Sequence, residues 1–123
     1  SKFGCGVGAR WACPVLVDGV STRSLLLDVA KVGRKKVATI ESLEKDGRLH
    51  PVQEAFLKVE AMQCGYCTSG MIMSGVALLQ KNPAPTERDM VRAMNGNVCR
   101  CCTYQRIIAA IREASGVMQK GAK

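Results

Sequence analysis

Cysteine constrains this sequence more than any other residue type, because seven cysteines occur in 123 residues and four of them form a pattern. Cys64 and Cys67 form a C-x-x-C pair, and Cys99 and Cys101 form a C-x-C pair. Either spacing allows two thiolates to turn toward one centre. Four thiolates are the ligand set of an iron–sulfur cluster or of a structural zinc site. The pattern therefore predicts a metal centre and leaves the metal open.

Two other interpretations of the cysteines fit the sequence less well. A disulfide framework is disfavoured by the odd number of cysteines, by the poor geometry of a C-x-C bridge and by the lack of a visible secretion signal. A redox dithiol at Cys64 and Cys67 normally follows a strand, whereas the flanking sequence here predicts helices. We therefore expect reduced cysteines and a cytoplasmic location.

Both cysteine pairs precede a predicted helix. Thr68 and Ser69 are good N-cap residues before an apolar run, and Asn82-Pro83 ends that run. After the second pair, apolar residues recur with a helical period at Tyr104, Ile107, Ile108, Ile111, Ala114 and Met118. Helix N-termini present free N–H groups and the positive end of the helix dipole, which stabilise an anionic cluster.

Two residues within the cysteine pairs are further candidates. Gly65 allows the first loop to approach a cluster closely, because it has no side chain. Arg100 either adds a positive charge beside the cluster or is an ordinary solvated arginine.

The sequence predicts an α+β chain in two parts, residues 1–45 and residues 46–123. In the first part, Val15–Val17 and Val20–Leu27 predict strands around an Asp18-Gly19 turn, and Val37–Ile40 predicts a third strand. In the second part, helices are predicted at Pro51–Met62 and after Thr86, in addition to the two beside the cysteines. The methionines lie on apolar helix faces as core residues, and His50 is interpreted as a turn or cap residue.

Charge and hydropathy narrow the choice of partners. The formal net charge is +8, and the densest basic run lies at residues 31–36. We interpret this run as a solvated loop, since there are few aromatic residues and no nucleic-acid-binding motif. The best apolar run, Met71–Leu79, is too short for a membrane span. Neither a nucleic-acid partner nor a membrane span is therefore expected.

Several motifs of the chain resemble one known family. The motifs are Gln63-Cys64-Gly65-Tyr66-Cys67, Gly70-Met71-Ile72-Met73-Ser74, Asn82-Pro83 and Asn97-Val98-Cys99-Arg100-Cys101. They resemble the small iron–sulfur subunit of molybdenum hydroxylases, the xanthine oxidase and carbon monoxide dehydrogenase family. The segment Cys101–Ile107 is most similar to the branch of the isoquinoline 1-oxidoreductase alpha subunit. The resemblance covers nearly the whole chain.

The resemblance implies a fold, a cofactor and a partner. The fold would be a truncated ferredoxin-like (β-grasp) part followed by a four-helix [2Fe–2S]-binding domain. The cluster of the helical domain would be held by Cys64, Cys67, Cys99 and Cys101. Gln63 would contact the pterin of a molybdopterin cofactor in a separate large subunit, since an amide both donates and accepts hydrogen bonds. The alternative for Gln63 is an ordinary exposed polar residue.

The first part departs from the family pattern. A plant-type ferredoxin site has the spacing C-x4-C-x2-C with a distant fourth cysteine, and the corresponding positions here are Cys5, Arg10, Cys13 and Leu25. Arginine and leucine cannot ligate iron, and Trp11 replaces a residue that is usually small. We therefore expect no second cluster, and we expect Cys5 and Cys13 to be free thiols of a vestigial site.

Two further departures concern Cys102 and the length of the chain. Cys102 stands where the related branch has glycine, and it is a free thiol, a substitute ligand or a reactive residue. The family's ferredoxin domain begins about forty residues earlier, so the three strands here would have an uncovered edge. The chain is then either a fragment or a remnant that folds against other subunits.

These observations predict an electron-transfer subunit of an oxidoreductase, without a substrate site of its own. Electrons released at molybdenum in the large subunit would pass through the pterin to the cluster and leave toward an FAD subunit or a cytochrome. The alternative is a zinc-stabilised helical interaction module without redox function, because four cysteines suit zinc as well as iron.

Overall fold

A small sheet precedes a group of helices in the computed structural model, which describes residues 1–121. The strands are β1 (Pro14–Val17), β2 (Val20–Arg23) and β3 (Val37–Ala38), and the helices are α1 (Val29–Val32), α2 (Pro51–Lys58), α3 (Thr68–Lys81), α4 (Glu87–Met94) and α5 (Tyr104–Gly121). The predicted mixture of a small sheet and helices is confirmed, and the four long helices fall in the second part. Residues 122 and 123 of that predicted part lie outside the described residues.

The sheet is built around the predicted hairpin. Its order is β2-β1-β3 with antiparallel pairing, so β1 is the central strand. Asp18 and Gly19 have φ values of +49° and +80°, the combination that a two-residue hairpin turn requires. The Asp18 carboxylate also accepts the backbone N–H of Lys36 at 2.9 Å. β2 is shorter than predicted because a 3-10 helix begins at Ser24, whose hydroxyl donates to the Cys13 carbonyl at 2.7 Å.

His50 caps α2, which confirms its interpretation as a cap residue. Its Nδ1 accepts the N–H of Val52 at 3.2 Å, and the Gln53 side chain accepts the N–H of His50 at 2.9 Å. Burial and the charge of Lys45 lower the pKa of His50, which favours the neutral imidazole that this acceptor role requires. A second capping box, between Thr86 and Asp89, starts α4 as predicted.

The first long helix ends earlier than its apolar pattern predicts. α2 stops at Lys58 rather than at Met62, because Glu60 adopts a left-handed conformation with φ +50°. The N–H groups of Glu60 and Ala61 then bond to the carbonyls of Leu57 and Phe56 at 3.2 and 2.9 Å. This arrangement is a Schellman motif that closes a helix C-terminus, and it turns the chain toward the first cysteine loop.

One apolar core joins the sheet to the helices. Its fully buried side chains include Phe56 of α2, Met71 and Met73 of α3, and Ile107 of α5. Leu16 of β1 belongs to the same core, so the sheet packs directly on the helical part. No helix within residues 1–121 is both long and apolar enough to cross a bilayer.

The first residues of the chain lie across the start of α3 as a strap, which we define as residues 2–12. The strap closes on itself through a hydrogen bond from the N–H of Lys2 to the carbonyl of Ala12 at 3.0 Å. The Tyr66 hydroxyl donates to the carbonyl of Phe3. At Gly70 a Cβ would lie 2.3 Å from the carbonyl oxygen of Trp11, so only glycine allows this close approach.

Gly70→Ala is expected to lower the free energy of unfolding by about 1–3 kcal/mol, because the new methyl group would overlap the Trp11 carbonyl. Denaturant unfolding followed by circular dichroism measures this change. Gly116→Ala is the control, since Gly116 lies within α5 with no heavy atom within 4 Å of the added Cβ. The control should gain up to about 1 kcal/mol from helix propensity. Equal stability of the two variants would contradict the close contact.

Candidate metal centre

The first cysteine pair lies on the turn that starts α3. Cys67 occupies the N-cap position, and Thr68 and Ser69, which the sequence suggested as caps, lie in the first turn instead. Gly65 has φ +75°, with open space where its Cβ would be. Glycine is therefore favoured at this position by the left-handed backbone conformation. Its predicted close approach to a cluster stays a prediction.

The four patterned thiols lie together as two interacting pairs. Cys67 interacts with Cys99, and Cys64 interacts with Cys101. Burial raises the pKa of Cys67 to about 12, with contributions from contact with Cys99 and from the charges of Cys99 and Cys64. At Cys101 the backbone N–H of Cys64 acts to lower the pKa, but the Cys64 thiol, burial and the charge of Cys99 outweigh it and raise the pKa.

Cys99 is the most deeply buried of the four and the best supplied with hydrogen bonds. Its residue is 6% exposed, and its Sγ lies 3.3 Å from the hydroxyl oxygen of Thr103. Burial acts to raise the pKa of Cys99, but hydrogen bonds from Thr103 and from the Cys67 thiol outweigh it, so the pKa is lowered. The site therefore favours a thiolate at Cys99.

Polar side chains fix the backbone of the second cysteine loop. The Tyr104 hydroxyl accepts the N–H of Cys99 at 2.8 Å and donates to the carbonyl of Asn97 at 3.0 Å. The buried Asn97 side chain accepts a hydrogen bond from Ser74 of α3 at 3.3 Å. The start of the loop, at Asn97 and Cys99, is thus attached both to α5 and to α3, the helix that follows the first cysteine pair.

The donor set and its surroundings fit a [2Fe–2S] cluster. Two pairs of thiols suit two bridged iron atoms, each of which takes two cysteine ligands. Within residues 1–121, no three His, Cys, Asp or Glu side chains converge closely enough to hold one metal ion. Next to Cys67, the hydroxyl oxygens of Thr68 and Ser69 are buried without a hydrogen-bond partner among the described residues, and hydroxyls at such a position can donate to cluster sulfurs.

A cavity of about 410 Å³ opens beside the first pair. It is lined by Cys64 and Cys67, by the guanidinium-bearing residues Arg10 and Arg100, and by Ala12, Tyr66 and Val98. Arg100 is exposed and lines this cavity with the two cysteines, and its predicted charge effect on a cluster stays a prediction. Arg10 comes from the strap, and the sequence had not associated it with this site.

The predicted vestigial site lies in the strap and at the start of β1. Cys5 is half-buried, and its Sγ accepts the N–H of Ala9 at 3.1 Å. Hydrogen bonds from several backbone N–H groups lower the pKa of Cys5, and the largest contribution comes from Val7. Cys13 is buried directly before β1, and Leu25 is half-buried in the 3-10 helix after β2. The absence of a cluster at this site stays a prediction.

A second cavity, of about 420 Å³, lies beside the residue that precedes the first cysteine pair and the residues that follow the second pair. It is lined by Gln63, Cys102, Thr103, Tyr104, Gln105 and Arg106. Both Gln63 and Cys102 are exposed. The structure thus brings the predicted pterin contact and the unassigned cysteine into one cavity.

Sequence reasoning missed the residues that support the thiols. Ser74, Asn97, Thr103 and Tyr104 occur in the motifs that suggested the family, but their roles were not predicted. The available signal was a set of polar residues on otherwise apolar helix faces and next to cysteine ligands, since buried polar groups are normally hydrogen-bonded. Arg10 gave no such signal, because its nearness to Cys64 depends on how the strap lies.

Comparison with known proteins agrees with this geometry. The family model for the [2Fe-2S] binding domain matches residues 39–112. The nicotine 6-hydroxylase small subunit of Paenarthrobacter nicotinovorans is 44% identical over 94% of this chain and 69% of its own length. The isoquinoline 1-oxidoreductase subunit alpha of Brevundimonas diminuta is 47% identical over 94% of this chain and 75% of its own length.

A solved structure extends the agreement to the fold. A chain of quinoline 2-oxidoreductase from Pseudomonas putida 86 superposes with a TM-score of 0.89 at 34% identity, covering 98% of this chain and 75% of that chain. The chain therefore belongs to the family of [2Fe–2S]-binding domains. Within that class it belongs to the small iron–sulfur subunits of molybdenum hydroxylases, as its motifs predicted.

Tyr104→Phe is expected to lower the free energy of unfolding by about 1–2 kcal/mol, because it removes the acceptor of the Cys99 N–H and the donor to Asn97. It should also accelerate the loss of iron to a chelator, measured by the decay of visible absorbance. Gln105→Ala, an exposed neighbour, is the control. If both variants unfold and release iron like the unmodified protein, Tyr104 does not support the site.

Proposed function

We propose that this chain is the electron-transfer subunit of a molybdenum-dependent hydroxylase or dehydrogenase. The observation that carries the proposal is the assembly of Cys64, Cys67, Cys99 and Cys101 into two thiol pairs. A bound [2Fe–2S] cluster accepts and releases one electron at a time. The chain's own residues would hold that cluster and shield its inner side, because Cys99 and Thr103 are buried.

The electrostatic state of the thiols supports metal ligation. Burial and the neighbouring thiols raise the pKa values of Cys67 and Cys101, so burial and mutual repulsion disfavour their thiolates without a compensating charge. Cations remove this repulsion, because ligating cysteines bind as thiolates and release their protons. The lowered pKa of Cys99 favours its thiolate, the form in which cysteine binds metal ions. Bound metal ions would thus stabilise these cysteines as thiolates.

We further propose that Gln63 contacts the pterin of a molybdopterin cofactor in a large partner subunit. Gln63 is exposed beside the ligand Cys64 and lines the 420 Å³ cavity with Arg106. An amide and a guanidinium can bond to the heteroatoms of a pterin edge. The side chain of Cys102 also lines this cavity, so its exposed thiol would face the same partner. We assign no substrate site to this chain.

The same proposal covers the two parts of the chain, the number of clusters, the electron acceptor and the location. Residues 1–45 would be the remnant of a ferredoxin-like part, and residues 46–123 the cluster-binding domain. Cys5 and Cys13 would be free thiols, so that the chain holds one cluster and no second one. An FAD subunit or a cytochrome would accept the electrons, and the location would be the cytoplasm.

Cys67→Ser is expected to abolish iron binding, whereas Cys13→Ser should leave it almost unchanged, because only Cys67 lies in the thiol pairs. The measurement is iron, sulfide and zinc content per chain together with the visible spectrum. The unmodified protein should contain about two iron and two sulfide. One zinc without colour would instead indicate the zinc-stabilised module, and about four iron would show that the strap holds a second cluster.

Gln63→Leu is expected to slow reduction of the cluster by substrate about tenfold in the complex with the large subunit, because one hydrogen bond to the pterin is lost. Rapid-mixing absorbance measures this rate, and iron content should stay unchanged. Gln80→Leu is the matched control, since Gln80 is exposed on α3 away from the Gln63 cavity. Equal rates in the two variants would contradict the pterin contact.

A further inference from the structure

We propose that Arg10 raises the reduction potential of the cluster by placing a positive charge beside it. This inference rests on the proposed function, because it requires a cluster at the two thiol pairs. Its starting point is the 410 Å³ cavity, where Arg10 of the strap and Arg100 line the same space as Cys64 and Cys67. The two arginines are far apart in the sequence and line one cavity.

Arg10 is held in place at two points. The backbone N–H of Val98, next to the ligand Cys99, donates to the Arg10 carbonyl at 3.1 Å. The Arg10 Nη1 atom donates to the carbonyl of Gly4 at 3.0 Å. The first bond fixes the backbone of Arg10 against the second cysteine loop, and the second restricts the guanidinium within the strap.

The strap itself is docked on the first cysteine loop. Tyr66, between Cys64 and Cys67, donates to the carbonyl of Phe3. Gly70, in the first turn of α3, permits the close approach of the Trp11 carbonyl. Arg10 therefore belongs to a segment that contacts both cysteine loops, so its charge does not depend on a freely moving side chain.

The charge of Arg10 is not neutralised by a neighbouring carboxylate. The ion pairs within residues 1–121 join Lys58 to Glu113 and Arg112 to Glu87. Neither pair includes Arg10 or Arg100. Two arginines that form no ion pair among residues 1–121 thus line the same cavity as Cys64 and Cys67, whose thiols become thiolates on ligation.

Electrostatics gives the direction of the effect. Two ferric ions, two sulfides and four thiolates together carry about −2, and uptake of one electron changes this to about −3. A nearby positive charge stabilises the reduced state more than the oxidised state. Where the plant-type pattern predicts a cysteine, and hence a second anionic cluster, this chain carries a cation at residue 10. The substitution therefore reverses the sign of the charge at that position.

The test is a redox titration of the full chain loaded with iron and sulfide, using dithionite as reductant and soluble mediators. Arg10→Gln should lower the equilibrium constant for cluster reduction about tenfold, which corresponds to about 59 mV for one electron. Arg10→Lys should keep most of the original potential, since it retains the charge. Arg34→Gln, which removes an exposed charge outside the cavity, is the control and should change the potential little.

A merely structural role of Arg10 predicts a different result. If loss of the bond to Gly4 only loosened the strap, water would approach the cluster and stabilise its more highly charged reduced state, so the potential would rise. The charge effect should also shrink as salt concentration increases. A rise in Arg10→Gln, or a potential equal to that of Arg34→Gln, would overturn the inference.

The outcomes also separate this inference from the proposed function. The potential is measured on the fraction of each variant that carries a cluster, so a lower iron content does not obscure the shift. Unmodified protein that binds no iron and sulfide would overturn both the proposed function and the role of Arg10. Clusters in every variant with one common potential would overturn the role of Arg10 alone.

Discussion

The candidate site depends on holding four cysteine thiols together where burial and neighbouring charge disfavour the thiolate forms of two of them. Burial and contact with Cys99 raise the pKa of Cys67 to about 12, which favours its neutral thiol, and the protein holds the loops that carry these thiols in place. It does so with neutral hydrogen bonds and apolar packing. Ser74 bonds to the side chain of Asn97, and the Tyr104 hydroxyl bonds to the backbone of Asn97 and Cys99. The helices α3 and α5 thus position the second cysteine loop, and bound cations would stabilise its thiolates.

Local signals in the sequence predict the helical part well. Pro51 and Thr86 mark predicted helix starts that the structure confirms. Such starts can be predicted because capping depends on residues only a few positions apart. The Asp18-Gly19 turn is confirmed for the same reason. The end of α2 is not predicted correctly, since Glu60 adopts φ +50° without being glycine. Tertiary contacts made by the neighbouring Ala61, which is buried, override the local preference there.

The candidate site likewise has features that the sequence predicts and features that it does not. Cysteine spacing predicts which four thiols come together, and in the folded chain these four lie in two pairs. The sequence does not predict the supporting bonds, because Ser74 and Asn97 lie on different elements and meet only when α3 packs beside the second loop. It predicts Arg10 as a lost ligand but not as a neighbour of Cys64. Spacing identifies ligands, whereas the surroundings that tune them arise from packing.

The strap keeps the backbone form of an anion-binding loop while carrying a cation. Several N–H groups still point at the Cys5 sulfur and lower its pKa. Trp11 retains a left-handed conformation with φ +49°, unusual for a large residue, and its ring lies 4.3 Å from the Arg23 guanidinium carbon. This cation–π contact offsets part of the conformational cost. The strap thus combines N–H groups that favour an anionic Cys5 with a cation at Arg10, and its packing on α3 places it beside the four patterned cysteines.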